Sequence, residues 1–142
     1  ALSGRMGMEM QPKDIKENEI EYVKTAIENY KLIRPIVQQG DLYRITSPYD
    51  ESGCVANLYV SKDKKQSVFF AYSLKYHNRT KSFKPKLKGL KPDKKYVLQD
   101  LNGTGLIIDQ GRIFTGEYLI NMGLNLKLQR PYESLVLLIN EL

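Results

Sequence analysis

The amino-acid sequence predicts a mainly β protein, an antiparallel β-sandwich of about eight or nine short strands preceded by one strand and one long α-helix. Three observations lead there. Only residues 12–35 carry a sustained helical period. The hundred or so residues after them alternate short apolar runs with turn chemistry, the spacing of hairpin-built sandwiches. The 142 residues, 42% apolar and 27% charged, suffice for an ordinary domain with a real core.

Residues 3–11 place Met6, Met8 and Met10 at alternating positions, a strand pattern with one apolar face. Strand, short loop and helix make one β/α unit, the building block of parallel sheets and (β/α) barrels. In the helix, Asp14 is the expected N-cap and Glu17 its capping-box partner, with Glu19 and Glu21 favoured by the helix dipole. Ile20, Val23, Ile27, Tyr30 and Arg34 fall on one line, widened by Ala26 and Ile33. Lys31 and Arg34 suit the carboxyl end, where Pro35 is expected to stop the helix. Such a stripe needs cover, and the eleven residues before it are few. The amino end, which begins at Ala1, therefore reads as a cut. The stripe is expected to pack on another copy or on the strand face near residues 42–45.

After Pro35 come strands at 41–47, 55–61 and 66–74, the last two joined as a hairpin. The centre of 66–74, Val68-Phe69-Phe70-Ala71-Tyr72, is apolar on both faces and belongs in the middle of a sheet. Residues 83–87 alternate Phe83, Pro85 and Leu87 with Lys84 and Lys86, an edge strand because Pro85 has no N–H to donate. Lys91-Pro92-Asp93-Lys94 is a turn, and Asn102-Gly103 is a hairpin signal. Strands at 96–101, 106–108, 112–115, 118–120, 124–128 and 134–140 complete the set, with no second helix expected.

The sequence excludes several chemistries. It lacks the GxGxxG, GKS/GKT, HExxH and GxSxG patterns. The single cysteine, Cys54, permits no internal disulfide or multi-cysteine metal site and indicates no compartment. The single histidine, His77, sits in a polar stretch and reads as a solvated loop residue. No run of about eighteen apolar residues suggests a membrane span, and the first residues show no signal-peptide pattern. Glycosidases need only two carboxylates. Glu9, Asp41, Asp100 and Asp109 are the candidates for that role, and each reads better as a cap, turn or ion-pair residue. The net charge of +6 is uneven: residues 62–95 hold eleven Lys and one Arg against Asp63 and Asp93. Lys84, Lys86 and Lys88 at period two describe a solvated, aggregation-blocking edge better than a nucleic-acid site, which interleaves aromatics with charge. Catalytic, cofactor-binding and metal-binding residues are accordingly none, and no cofactor is expected.

Several stretches together carry a resemblance. Gly4, Arg5, Gly7, Glu9 and Pro12 stand before the helix, and Gly40, Asp41, Tyr43, Arg44, Ser47 and Pro48 after it. With the stretches at 58–72, 87–98 and 115–128, they resemble the end of the catalytic barrel and the C-terminal domain of bacterial α-galactosidases (melibiases) of glycoside hydrolase family 36. The resemblance implies that residues 1–36 are the last strand and helix of a (β/α)₈ barrel and 37–142 a C-terminal β-sandwich. It implies a parent that cleaves terminal α-galactosyl groups with retention, using two aspartates on earlier strands that this chain lacks. Glu9 and Gln11 would then lie near the pocket, where a structural role is favoured. The expected function is a non-catalytic domain that caps and stabilises the barrel, with the barrel and α-galactoside as the parent's partners, homo-oligomer contacts allowed, and neither nucleic acid nor membrane. A carbohydrate-binding module is the alternative, and a basic nucleic-acid-binding sandwich the third.

Overall fold

The computed structural model describes residues 2–7, 11–49, 52–75, 83–108 and 111–142. Its helix α1 spans Ile20–Gln39. Six strands follow: β1 (Asp41–Thr46), β2 (Cys54–Val60), β3 (Gln66–Ser73), β4 (Lys95–Asp100), β5 (Ile113–Thr115) and β6 (Ser134–Glu141). A short helix, α2 (Gly116–Asn121), lies between β5 and β6.

The strands form one antiparallel sheet in the order β1-β2-β3-β6-β4-β5. The strand latest in the chain thus sits near the middle, between β3 and β4. β3 is central too, and the apolar run at 68–72 predicted that position, with Val68 to Ala71 all buried. Alternation sorts the side chains. Leu58, Phe69, Leu98 and Leu137 face one core, while Val68, Phe70, Val136 and Leu138 face another on the opposite side.

The mainly β, antiparallel architecture with one long helix agrees with the sequence, but the second layer does not. Among the described residues, the chain opposite α1 contains an isolated bridge, Ile107 to Leu126, in place of the strands expected at 106–108 and 124–128. Residues 118–120 are helical, not extended: Thr115 caps α2, its Oγ1 accepting from the Tyr118 N–H at 3.2 Å. Residues 83–87 keep the predicted alternation, with Pro85 and Leu87 buried and Lys84 and Lys86 exposed, yet form no ladder. Instead Pro85 accepts from the Leu124 N–H, and the Leu87 N–H donates to Leu119. Residues 2–7 are a turn and irregular chain, so the described part of the expected first strand is not a strand.

The ends of α1 also differ from expectation. Single 3₁₀ turns at Pro12–Asp14 and Glu17–Glu19 precede it, and its N-cap is Glu19, without a side-chain cap. The Asp14–Glu17 capping box is therefore not formed. Pro35 lies inside the helix, on its exposed side. The missing N–H deprives only the carbonyl of Lys31, which water can reach, so the cost of Pro35 is small here. The helix stops at Gly40, where a Cβ would stand 2.5 Å from the Val60 carbonyl oxygen.

Burial on α1 is concentrated at its carboxyl end. Ile33, Ile36 and Val37 are buried in the core shared with β3 and β6, whereas Val23 and Ile27 are half-buried and Ile20, Tyr22 and Arg34 are exposed. The principal neighbours of α1 are β3 and β2, not the 42–45 stretch, and Leu42 remains exposed.

Candidate functional site

Among the described residues, the two candidate carboxylates Asp41 and Asp100 are not brought together. Asp41 opens β1 and pairs with Lys62 at the surface. Asp100 closes β4 and is buried, its Oδ2 accepting from Thr104 Oγ1 at 3.0 Å and the Gly105 N–H at 2.9 Å. Strands β2, β3 and β6 lie between them. At about 4.8 Å per strand that is roughly 19 Å, far beyond the roughly 5–9.5 Å that glycoside hydrolysis requires. Asp100 is a loop brace. Gln11 is exposed, while Glu9, His77 and Asp109 lie outside the described residues.

Other reactive groups are equally quiet. Cys54 is buried, and burial pushes its thiol up to about 11, against a smaller lowering by Ser73. It stays protonated and unreactive at neutral pH. Among the described residues no three His, Cys, Asp or Glu side chains gather as a metal site, and no helix is long and apolar enough to cross a membrane. Part of the lysine cluster is neutralised in place. Lys91 pairs with Glu141 at 3.0 Å, a hydrogen bond that raises the lysine pKa. Lys62 pairs with Asp41, and Lys94 lies 3.6 Å from Asp93.

A groove of about 570 Å³ is lined by Arg44, Ile45, Thr46, Ser47, Pro48, Tyr49, Val55 and Asn57. Register places Arg44 opposite Asn57. Asn57 and Val55 share the strand parity of Tyr59, which packs into the α1-side core, so these two lining residues belong to the sheet face that α1 covers elsewhere. The Ser47 Oγ accepts from the Tyr49 N–H at 3.2 Å, and Thr46 Oγ1 donates to the Cys54 carbonyl at 2.8 Å. These bonds hold the loop that presents the Tyr49 ring, which is 95% exposed. Sequence reasoning noted Arg44, Ser47 and Pro48 as parts of a motif but missed the groove. Only the β1–β2 register reveals Asn57 beside Arg44.

A second recess, of about 370 Å³, lies between the amino half of α1 and the turn after β4, lined by Leu2, Tyr22, Ala26, Asn29 and Leu101 among others. Asn29 Nδ2 donates to the Leu101 carbonyl at 2.7 Å and pins the helix there. Beyond that point α1 projects past the sheet core, with Tyr22 77% exposed.

A six-stranded antiparallel sheet of this order, with one long helix against one face, defines a mainly β domain. Comparison identifies which one. Residues 54–139 match the glycosyl hydrolase family 36 C-terminal domain, and the chain belongs to that family. It is 30% identical over 140 residues to a protein described as probable alpha-galactosidase C of Aspergillus flavus, covering 99% of this chain and 17% of the relative. It is 30% identical over 123 residues to alpha-galactosidase 1 of Pediococcus pentosaceus, 87% of this chain and 15% of that one. The solved structure of the GH36 alpha-galactosidase AgaB from Geobacillus stearothermophilus superposes with a TM-score of 0.83 at 25% identity, covering 100% of this chain and 18% of that chain. The alpha-galactosidase of Lactobacillus brevis shares the fold with a TM-score of 0.84 at 23% identity, covering 100% of this chain and 19% of that one. The chain therefore spans about a sixth of the length of its curated relatives. Those relatives are fungal as well as bacterial, so the likeness is not confined to bacterial enzymes.

Proposed function

We propose that this chain is the non-catalytic C-terminal domain of an α-galactosidase-like glycoside hydrolase, and that it caps and stabilises the catalytic barrel. The parent would hydrolyse α-galactosyl linkages, as the relatives' names indicate, acting on terminal groups with the retention that the family resemblance implies. Residues 1–36 would supply the last strand and helix of the barrel, and residues 37–142 the accessory domain. The observation that carries this is the match to the family's C-terminal domain on a chain spanning only 17% of its relative, whose candidate carboxylates Asp41 and Asp100 are separated by three strands. The half-covered amino half of α1 supports the division, because it offers apolar side chains to whatever precedes the domain.

The test is turnover of a chromogenic α-galactoside. The expected result is none from this chain and turnover from the full-length parent, with a parent truncated before residue 37 losing thermal half-life. Turnover by the isolated chain, or an equally durable truncated parent, overturns the proposal.

A further inference from the structure

We propose that the groove between Arg44, Asn57 and Tyr49 is a binding site for a neutral oligosaccharide. The choice of sugar as ligand rests on the function proposed above. The residues themselves carry the rest.

Arg44 is exposed and Asn57 half-buried, side by side across the β1–β2 register. Among the described residues neither side chain has a hydrogen-bond or ion-pair partner. The Asn57 amide is not among the buried unpartnered groups, so it stays accessible from the groove. Together they offer a planar guanidinium fork of donors and an amide that both donates and accepts. Adjacent hydroxyl groups on a pyranose present the complementary pattern, each hydroxyl being donor and acceptor at once.

The third element is Tyr49. Its ring stands almost wholly in solvent at the lip of the groove, a position with no packing reward. Its backbone is nonetheless held: Pro48 before it has a fixed φ, and its N–H is bonded to Ser47 Oγ. A flat apolar face beside planar polar groups that no protein atom engages suits a ligand with one apolar and one hydroxylated side, as a sugar ring has. The single positive charge and the absence of a surrounding cation cluster in the lining argue against a phosphate or polyanion. A volume near 570 Å³ falls in the range of small-molecule sites.

The experiment is calorimetric and NMR titration of the chain with raffinose, with methyl α-D-galactoside and sucrose in parallel. Raffinose should bind at millimolar concentration and perturb resonances of β1, β2 and the intervening loop. Tyr49→Ala and Arg44→Ala should each weaken it by about tenfold or more. Tyr132→Ala removes an equally exposed ring outside the groove and should change nothing. All three sites are exposed, so unchanged circular dichroism should accompany the loss. Absence of binding by every sugar, or binding that Tyr49→Ala and Arg44→Ala leave intact, overturns the subsite. Either failure leaves the accessory-domain proposal standing, because that is judged by turnover and durability of the parent.

Discussion

Replacing Ile33 by Ala should show where α1 is anchored. Ile33 is fully buried against Val68 and Phe70 of β3 and Val136 and Leu138 of β6. Burial of such a side chain is worth roughly 1.5–3 kcal/mol in transfer terms alone. The cavity adds to this, because β3 and β6 are locked in the middle of the ladder and cannot close over it. An Ile→Ala cost in the upper part of the roughly 2–5 kcal/mol range follows, about 3–4 kcal/mol. For a domain of this size that lowers Tm by roughly 10 °C. Ile27, two turns earlier, is half-buried on the projecting half of the helix, and Ile27→Ala should cost less than about 1 kcal/mol. The two variants are compared by urea unfolding at matched m-value, with thermal melts alongside. Equal losses, or a loss below about 1 kcal/mol for Ile33→Ala, would refute the docking described for α1. In the full-length parent, Ile27→Ala should become costly, since the preceding barrel would then cover it.

Three further outcomes are expected. Gly116→Ala should destabilise by about 3 kcal/mol, because a Cβ there would overlap the Lys91 carbonyl oxygen and lie 2.8 Å from its carbon; an unchanged melt would show that the Lys91 turn yields freely. Glu133 accepts from the N–H groups of Gln129 and Arg130 at 2.8 and 3.0 Å, and these outweigh burial to hold its pKa below the ordinary 4.5. Its contribution is therefore complete above that value and fades as pH falls through the lowered native pKa, so the Tm gap between wild type and Glu133→Gln should shrink between pH 7 and pH 3; a constant gap would contradict it. Cys54 should resist a thiol reagent at pH 7.5 until denaturant is added, given its burial and raised pKa, whereas rapid native labelling would mean that the strand end opens.

What was legible in the sequence followed from period and composition. The alternation of Ala56, Leu58 and Val60 and the continuous run at 68–72 each gave a strand in its proper place. What was not legible depended on long-range competition. Tyr118-Leu119-Ile120 looks extended because three apolar residues run together, but Thr115 three residues earlier supplies a cap and Leu119 alone is buried. Pro35 looks like a stop because its exposure on the finished helix, which makes it tolerable, is decided by the sheet beneath. Residues 83–87 have a strand's alternation without a strand's neighbour. The candidate groove needed the pairing of Arg44 with Asn57, thirteen residues apart, and such a juxtaposition exists only once a register is set.

The central place of β6 bears on how the molecule is made. β3 and β4 do not pair with each other; both pair with β6. A growing chain can close the β1-β2-β3 meander and the β4-β5 pair early, because their contacts are local. Neither half can bury both faces, however, and the two remain separate until residues 134–141 arrive. Ribosomes add roughly 5–20 residues per second, so for several seconds the nascent protein displays two open sheet edges lined by Phe69, Phe70 and Leu98. Cooperative folding of this sheet then waits on β6, the last of its six strands in chain order. A message truncated before Ser134 would yield a product with exposed edges that chaperones and proteases can recognise, not a weakened version of the native domain.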